Sequence, residues 1–168
     1  MNLTEILSLR LHKRDLERLA ATADIEAVYE LIFSENKRIA YNALWVLTHL
    51  PAEYDQWLAT KRSALIDMLL SEHHEGKKRN LFNLLNRLPL DEADVRTDYL
   101  DFCFAKINSL EPYAVRSFAI KQAYAQARHF PELLSELRGE LNLLDAQTLA
   151  PGLRSTLRQI KRKLDKKP

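Results

Sequence analysis

The sequence predicts an all-α protein, a stack of about four helix pairs behind an N-terminal helical cap, and three observations predict it. Arg38, Arg79, Arg116 and Arg154 each stand near the start of a short apolar run, at separations of 41, 37 and 38 residues. A period of that size marks units that cannot bury an apolar face alone and do so by stacking on their neighbours. Composition agrees, since 46% hydrophobic and 29% charged residues with only three glycines and six prolines suit a globular helical chain and exclude a loop-rich sandwich or a low-complexity segment. Finally, prolines and acidic, Asn or Ser residues fall at the joints between apolar-periodic segments, where helices start and stop. At 168 residues the expectation is one domain that buries its core without a metal or disulfide.

Taken in order, about nine helices are expected. A cap over 1–23 begins with a segment from Thr4 to Thr22, with a break near His12. The first pair, 24–51, opens at Asp24, a suitable N-cap for a helix to Phe33. After the joint Ser34-Glu35-Asn36, a helix from Lys37 to Leu50 stops at Pro51, whose ring and missing N–H cannot continue it. The second pair, 52–89, comprises a long helix from Ala52 to His73, a joint at Glu75-Gly76, and a helix from Lys77 to Leu88 ended by Pro89. In the third, 91–130, residues Asp91 to Asp94 cap a helix through Asn108, and Pro112 takes the first position of a helix to Arg128. The last pair, 131–165, places Pro131 before a helix over Glu132–Leu143 and Pro151-Gly152 at the start of a helix to Leu164.

Aligned on their arginines, the first two second helices match throughout: Ala40, Ala43, Leu44 and Leu47 follow Arg38 at the offsets of Leu81, Leu84, Leu85 and Leu88 after Arg79. After Arg116 the pattern shifts to Ala119 and Ala123, and after Arg154 to Leu157, Ile160 and Leu164, so the later units are looser. The run Glu111-Pro112-Tyr113-Ala114-Val115-Arg116-Ser117-Phe118-Ala119 resembles the turn and second helix of HEAT repeats, and Arg38-Ile39-Ala40-Tyr41-Asn42-Ala43-Leu44-Trp45-Val46-Leu47 is similar to their helix continuation. The resemblance covers residues 24–164, in particular to small single-domain bacterial HEAT-like proteins. It implies a right-handed α-α superhelix whose arginines pair with an acidic or carbonyl group of an adjacent repeat.

Charge and cysteine usage bound the compartment and partners. Net charge is +2, but residues 154–168 carry +6 and the preceding ones −4, so charge is polarised. Cys103 is the single cysteine, which excludes an intrachain disulfide and fits a reducing compartment. The N-terminal segment acquires charge early and builds no apolar core of a signal peptide or membrane span; a cytoplasmic protein is expected.

Function is sought on the surface the stack exposes. At 100° per residue, Arg38, Asn42, Trp45 and His49 lie opposite the apolar set of their helix, with Arg79, Asn83 and Asn86 at matching places in the next. This stripe of the concave face is the candidate site for a protein or peptide, with Trp45 as aromatic anchor. Lys77, Lys78, Arg158, Arg162 and Lys166 are candidates for anion binding, alongside Lys13-Arg14, Lys61-Arg62 and Lys167.

Chemistry is thinly represented. His73-His74-Glu75 lacks the spacing that puts two ligands on one helical face, Cys103 reads as a core residue, and no phosphate loop or nucleophile elbow is present. The expectation is a non-catalytic binding or scaffold module without cofactor. The alternative is a nucleic-acid-binding protein similar to the DNA alkylation repeat glycosylases, whose clefts combine aromatic residues with an acidic one. A membrane-surface role for the basic last helix is weaker, because that helix lacks bulky aromatics on its apolar side.

Overall fold

The computed structural model describes residues 1–166, and among them eleven α-helices and two single-turn 3₁₀ segments with no strand. Lys167, counted above among the basic residues, lies outside the described residues. The helices divide into two compact units, Met1–Leu65 with Glu72–Leu88, and Ile66–Ser71 with the chain from Pro89 onward.

The first unit holds α1 (Leu3–Leu7), α2 (Lys13–Thr22), α3 (Ile25–Leu31), α4 (Lys37–Thr48), α5 (Asp55–Ala59), the start of α6 (Arg62–Ser71) and α7 (Glu75–Asn86). Its hub is α4, against which α1, α2, α3 and α7 all pack. Ala40 and Ala43 let neighbouring helices approach, and Leu44, Val46 and Leu47 fill the space between them; none of the five has exposed surface. Removing a side chain such as Leu44 from such a site costs about 2–5 kcal/mol. Local signals start the helices as expected. The Asp24 carboxylate accepts from the N–H groups of Glu26 and Ala27, and the Asn36 side chain accepts from Arg38 and Ile39. The break near His12 is present, with His12 at the N-cap of α2.

Two expectations in this unit give way. The helix from Ala52 to His73 is three elements, a 3₁₀ turn (Ala52–Tyr54), α5 and α6. At the α5–α6 break the Thr60 hydroxyl turns back to the Trp57 carbonyl, and Lys61 lies 4.6 Å over the Tyr29 ring and 5.6 Å from that of Trp57, with Glu26 at 3.9 Å. These contacts reward a kink that propensity alone does not reveal. Glu75-Gly76 is not a joint either: both lie in the first turn of α7, which His74 caps by accepting from the Lys77 N–H at 3.2 Å.

The second unit holds the rest of α6, then α8 (Thr97–Ile107), α9 (Tyr113–Ala127), α10 (Pro131–Asp145) and α11 (Pro151–Asp165). Here α9 is the hub, packed by α8, α10 and α11. Pro131 and Pro151 occupy first helical positions, where a missing N–H costs nothing. Pro112 instead stands one residue earlier, as the N-cap of α9. Asp91 to Asp94 do not cap α8 but close a 3₁₀ turn of their own (Glu92–Asp94), in which the Asp91 N–H donates to the Asp94 carboxylate. Arg96 then precedes α8, held by Asp98 and, on α6, by Asp67 at 2.8 Å.

Candidate ligand-binding cleft

An open cleft of about 810 Å³ lies in the first unit, walled by the loop between α1 and α2, by the start of α2, by α4 from Lys37 to Trp45 and by the N-cap of α7. The loop supplies Leu9, Arg10, Leu11 and His12, with Lys13 opening α2; α4 supplies Lys37, Arg38, Tyr41, Asn42 and Trp45; His74 comes from the cap of α7. Four permanent cations and two imidazoles therefore surround two aromatic rings, and the lining includes no carboxylate.

The wall is built by specific contacts. Asn42 is 4% exposed, and its amide nitrogen donates to the Leu7 carbonyl at 2.8 Å and the Leu9 carbonyl at 2.9 Å. It thereby ties the end of α1 and the loop after it to the hub helix. The other end of the loop is held where the His12 N–H donates to the Asp15 carboxylate at 2.8 Å, a bond that lowers the Asp15 pKa below the ordinary carboxylate value. Across the cleft, Tyr41 meets Trp45 with centroids 5.7 Å apart and planes at 53°, and meets His74 edge to face at 5.7 Å. Gly76 permits this arrangement, since a Cβ there would come within 2.7 Å of the Tyr41 ring.

Of the residues expected to form a binding stripe, Arg38, Asn42 and Trp45 come together at the cleft. Asn42 corrects the helical-wheel expectation: it is buried and occupied with backbone carbonyls, because the α1–α2 segment covers that side of α4. His49 is half-buried at the C-terminal end of α4, where its Nδ1–H donates to the Trp45 carbonyl at 2.9 Å. Arg79 and Asn86 are exposed and Asn83 is half-buried, all outside the cleft lining.

The anion-binding candidates divide similarly. Lys78 is buried, contrary to an exposed role, and Lys77 pairs with Glu72 at 3.6 Å with both side chains largely covered. Arg158, Arg162 and Lys166 are exposed in the second unit, while their neighbour Lys161 is held by Asp145 at 2.8 Å. Arg10, Lys37, Tyr41 and His74 were missed by sequence reasoning. The one available signal was the pattern Leu9-Arg10-Leu11-His12 between two helices, which alternates apolar and basic residues.

The four repeat arginines have unequal fates. Arg38 and Arg79 are exposed, whereas the Arg116 Nε donates to the Ile107 carbonyl at 3.0 Å and Arg154 lies 3.5 Å from the Gln147 carbonyl. Ile107 ends the preceding helix of the same pair and Gln147 lies in the turn just after it, so neither acceptor belongs to an adjacent repeat. Contacts across a repeat length come instead from the residues just before the joint prolines. The Arg87 guanidinium donates to the Pro51 carbonyl and Asp55, and His129 and Arg128 donate to the Leu90 carbonyl at 3.0 and 3.2 Å.

Matched against known protein families, residues 3–164 fit the model of the HEAT repeat domain. The chain belongs to the HEAT repeat family. No curated protein and no solved structure gives a significant match. HEAT repeat domains are modules of the interaction and scaffold type and are generally non-catalytic. In this HEAT repeat protein no described helix is long and apolar enough to cross a membrane. Cys103 is fully buried and its thiol pKa is pushed up by desolvation, which keeps it in the unreactive thiol form.

Proposed function

We propose that this protein is a non-catalytic binding module whose α4 surface takes a polypeptide partner in the cleft beside it. One observation carries the reading: Arg38, Tyr41 and Trp45, three residues of α4 within two turns, line an open cleft large enough for several side chains. Tryptophan, tyrosine and arginine are the side chains most enriched at the hot spots of protein interfaces. A buried, reduced Cys103 suits the cytoplasm as the compartment of this module.

Crosslinking with a photoreactive residue in place of Leu9 tests the reading. A partner captured there, and lost with Trp45→Ala at unchanged helix content, is the expected outcome. Capture that persists in Trp45→Ala would move the interface elsewhere. The nucleic-acid alternative draws on the same cations, but an excision enzyme needs an acidic residue beside its aromatics, and the lining supplies none. Of the two tryptophans, Trp57 is engaged with Tyr29 and donates to Glu26 at 2.6 Å, leaving Trp45 alone at the cleft.

A further inference from the structure

The charge of the cleft narrows what can occupy it. Arg10, Lys13, Lys37 and Arg38 stand around one opening, joined by His12 and His74, with no carboxylate in the lining. Arg10, Lys37 and Arg38 are exposed, and the one ion pair of Lys13 is a 3.8 Å contact to Glu17 with both side chains mostly in solvent. Like charges gathered in this way repel one another and favour an anionic occupant, which relieves the repulsion and is steered in by the field.

Two further features select among anions. The cleft lining holds four permanent cations, enough to meet the few charges of a short ligand segment. The rings also stand in tilted and edge-to-face contact, Tyr41 lying between Trp45 and His74. That wall suits insertion of an aliphatic or aromatic side chain against ring edges, with Leu9 and Leu11 on the loop side, better than it suits a flat base, which needs an open ring face.

We propose that the occupant is an acidic polypeptide segment in which one apolar side chain, flanked by Asp or Glu residues, enters the Tyr41–Trp45 end of the cleft while the carboxylates meet Arg10, Lys37 and Arg38. This rests on reading the cleft as a polypeptide site, and adds the chemistry of the partner. The loop tied down by Asn42 gives the arrangement its pre-formed character, because Arg10 is carried on backbone whose Leu9 carbonyl is already held by the hub helix.

Selection of short random peptides displayed on phage, with the intact protein as bait, tests the proposal. Enriched sequences rich in Asp and Glu around an apolar residue are expected. Their affinity should fall at least about tenfold in Lys37→Glu/Arg38→Glu and weaken as salt rises from 0.05 to about 0.5 M. Both positions are exposed on the first turn of α4, and Lys37→Gln/Arg38→Gln, checked by circular dichroism, gives an intermediate loss if charge is the cause. Enriched peptides without acidic residues, still dependent on Trp45, would overturn the acidic partner and leave the polypeptide site standing. No enrichment, or enrichment insensitive to both Trp45→Ala and the charge reversal, would overturn both. Tighter, Trp45-dependent binding of a single-stranded oligonucleotide that displaces the peptides would overturn both in favour of nucleic acid.

Discussion

The hub helices of the two units share a starting arginine and diverge from there. Counted from Arg38, Tyr41, Asn42 and Trp45 of α4 occupy the positions that Ala119, Ile120 and Ala123 of α9 hold relative to Arg116. In α9 all three are fully buried, so packing consumes that part of the helix. In α4 the two rings remain half-exposed at a cleft, and only Asn42 is covered. The arginines follow suit: burial lowers the pKa of Arg116, which spends its Nε–H on the Ile107 carbonyl, whereas Arg38 stays in solvent. The apolar stripe is displaced relative to the arginine between the two helices, so offsets that face the core in α9 face the cleft in α4.

Exchanging the two designs should give the largest effect. Ala119→Tyr forces a ring into a filled interior and is expected to cost about 3 kcal/mol, seen as a lowered denaturation midpoint. Tyr41→Ala, at the matching half-exposed position, should cost clearly less while weakening any ligand of the cleft. Equal costs would erase the contrast between the helices.

Asn42→Ala comes next, at about 1–3 kcal/mol, because it leaves the Leu7 and Leu9 carbonyls without their donor. Faster amide exchange should appear over residues 8–12, with the second unit unaffected. Such a residue illustrates what sequence could and could not show. Helix starts governed by local chemistry were legible: Asp24, Pro131 and Pro151 act within a few residues of themselves. So was the alternation that buries Ala40, Ala43, Leu44 and Leu47. Features that depend on a distant partner were not. Gly76 reads as a helix joint until the Tyr41 ring against it is seen, and the Lys61 kink depends on Tyr29, thirty-two residues earlier. The cleft was half legible, since a helical wheel places Arg38 and Trp45 on an outer face, but a wheel carries no information on the loop that supplies Arg10 or on why Asn42 is covered.

Arg116→Ala should destabilise by about 1 kcal/mol through loss of a half-buried hydrogen bond, and Arg38→Ala by close to nothing in thermal melts, despite their shared place in the repeat. A smaller effect is expected on acidification. Hydrogen bonds from the His12 N–H, Arg96 and Lys161 lower the pKa values of Asp15, Asp98 and Asp145 respectively. Their contribution is complete above the ordinary carboxylate range near 4 and is lost as pH falls through the lowered native values. A melting series from pH 6 to about 2 should therefore decline at its acid end, and Asp15→Asn should flatten that decline.

The most direct measurement sets the cleft against the other basic surface, around Arg158 and Arg162 on α11, whose positive charge would attract an acidic ligand without any cleft. Titration of the ¹⁵N-labelled protein with an oligoglutamate peptide carrying one central leucine reads both regions at once. Shifts are expected at Arg10–Lys13, Lys37–Trp45 and the Trp45 indole, with α11 unchanged. Shifts concentrated on α11, with the Trp45 indole unmoved, would contradict it.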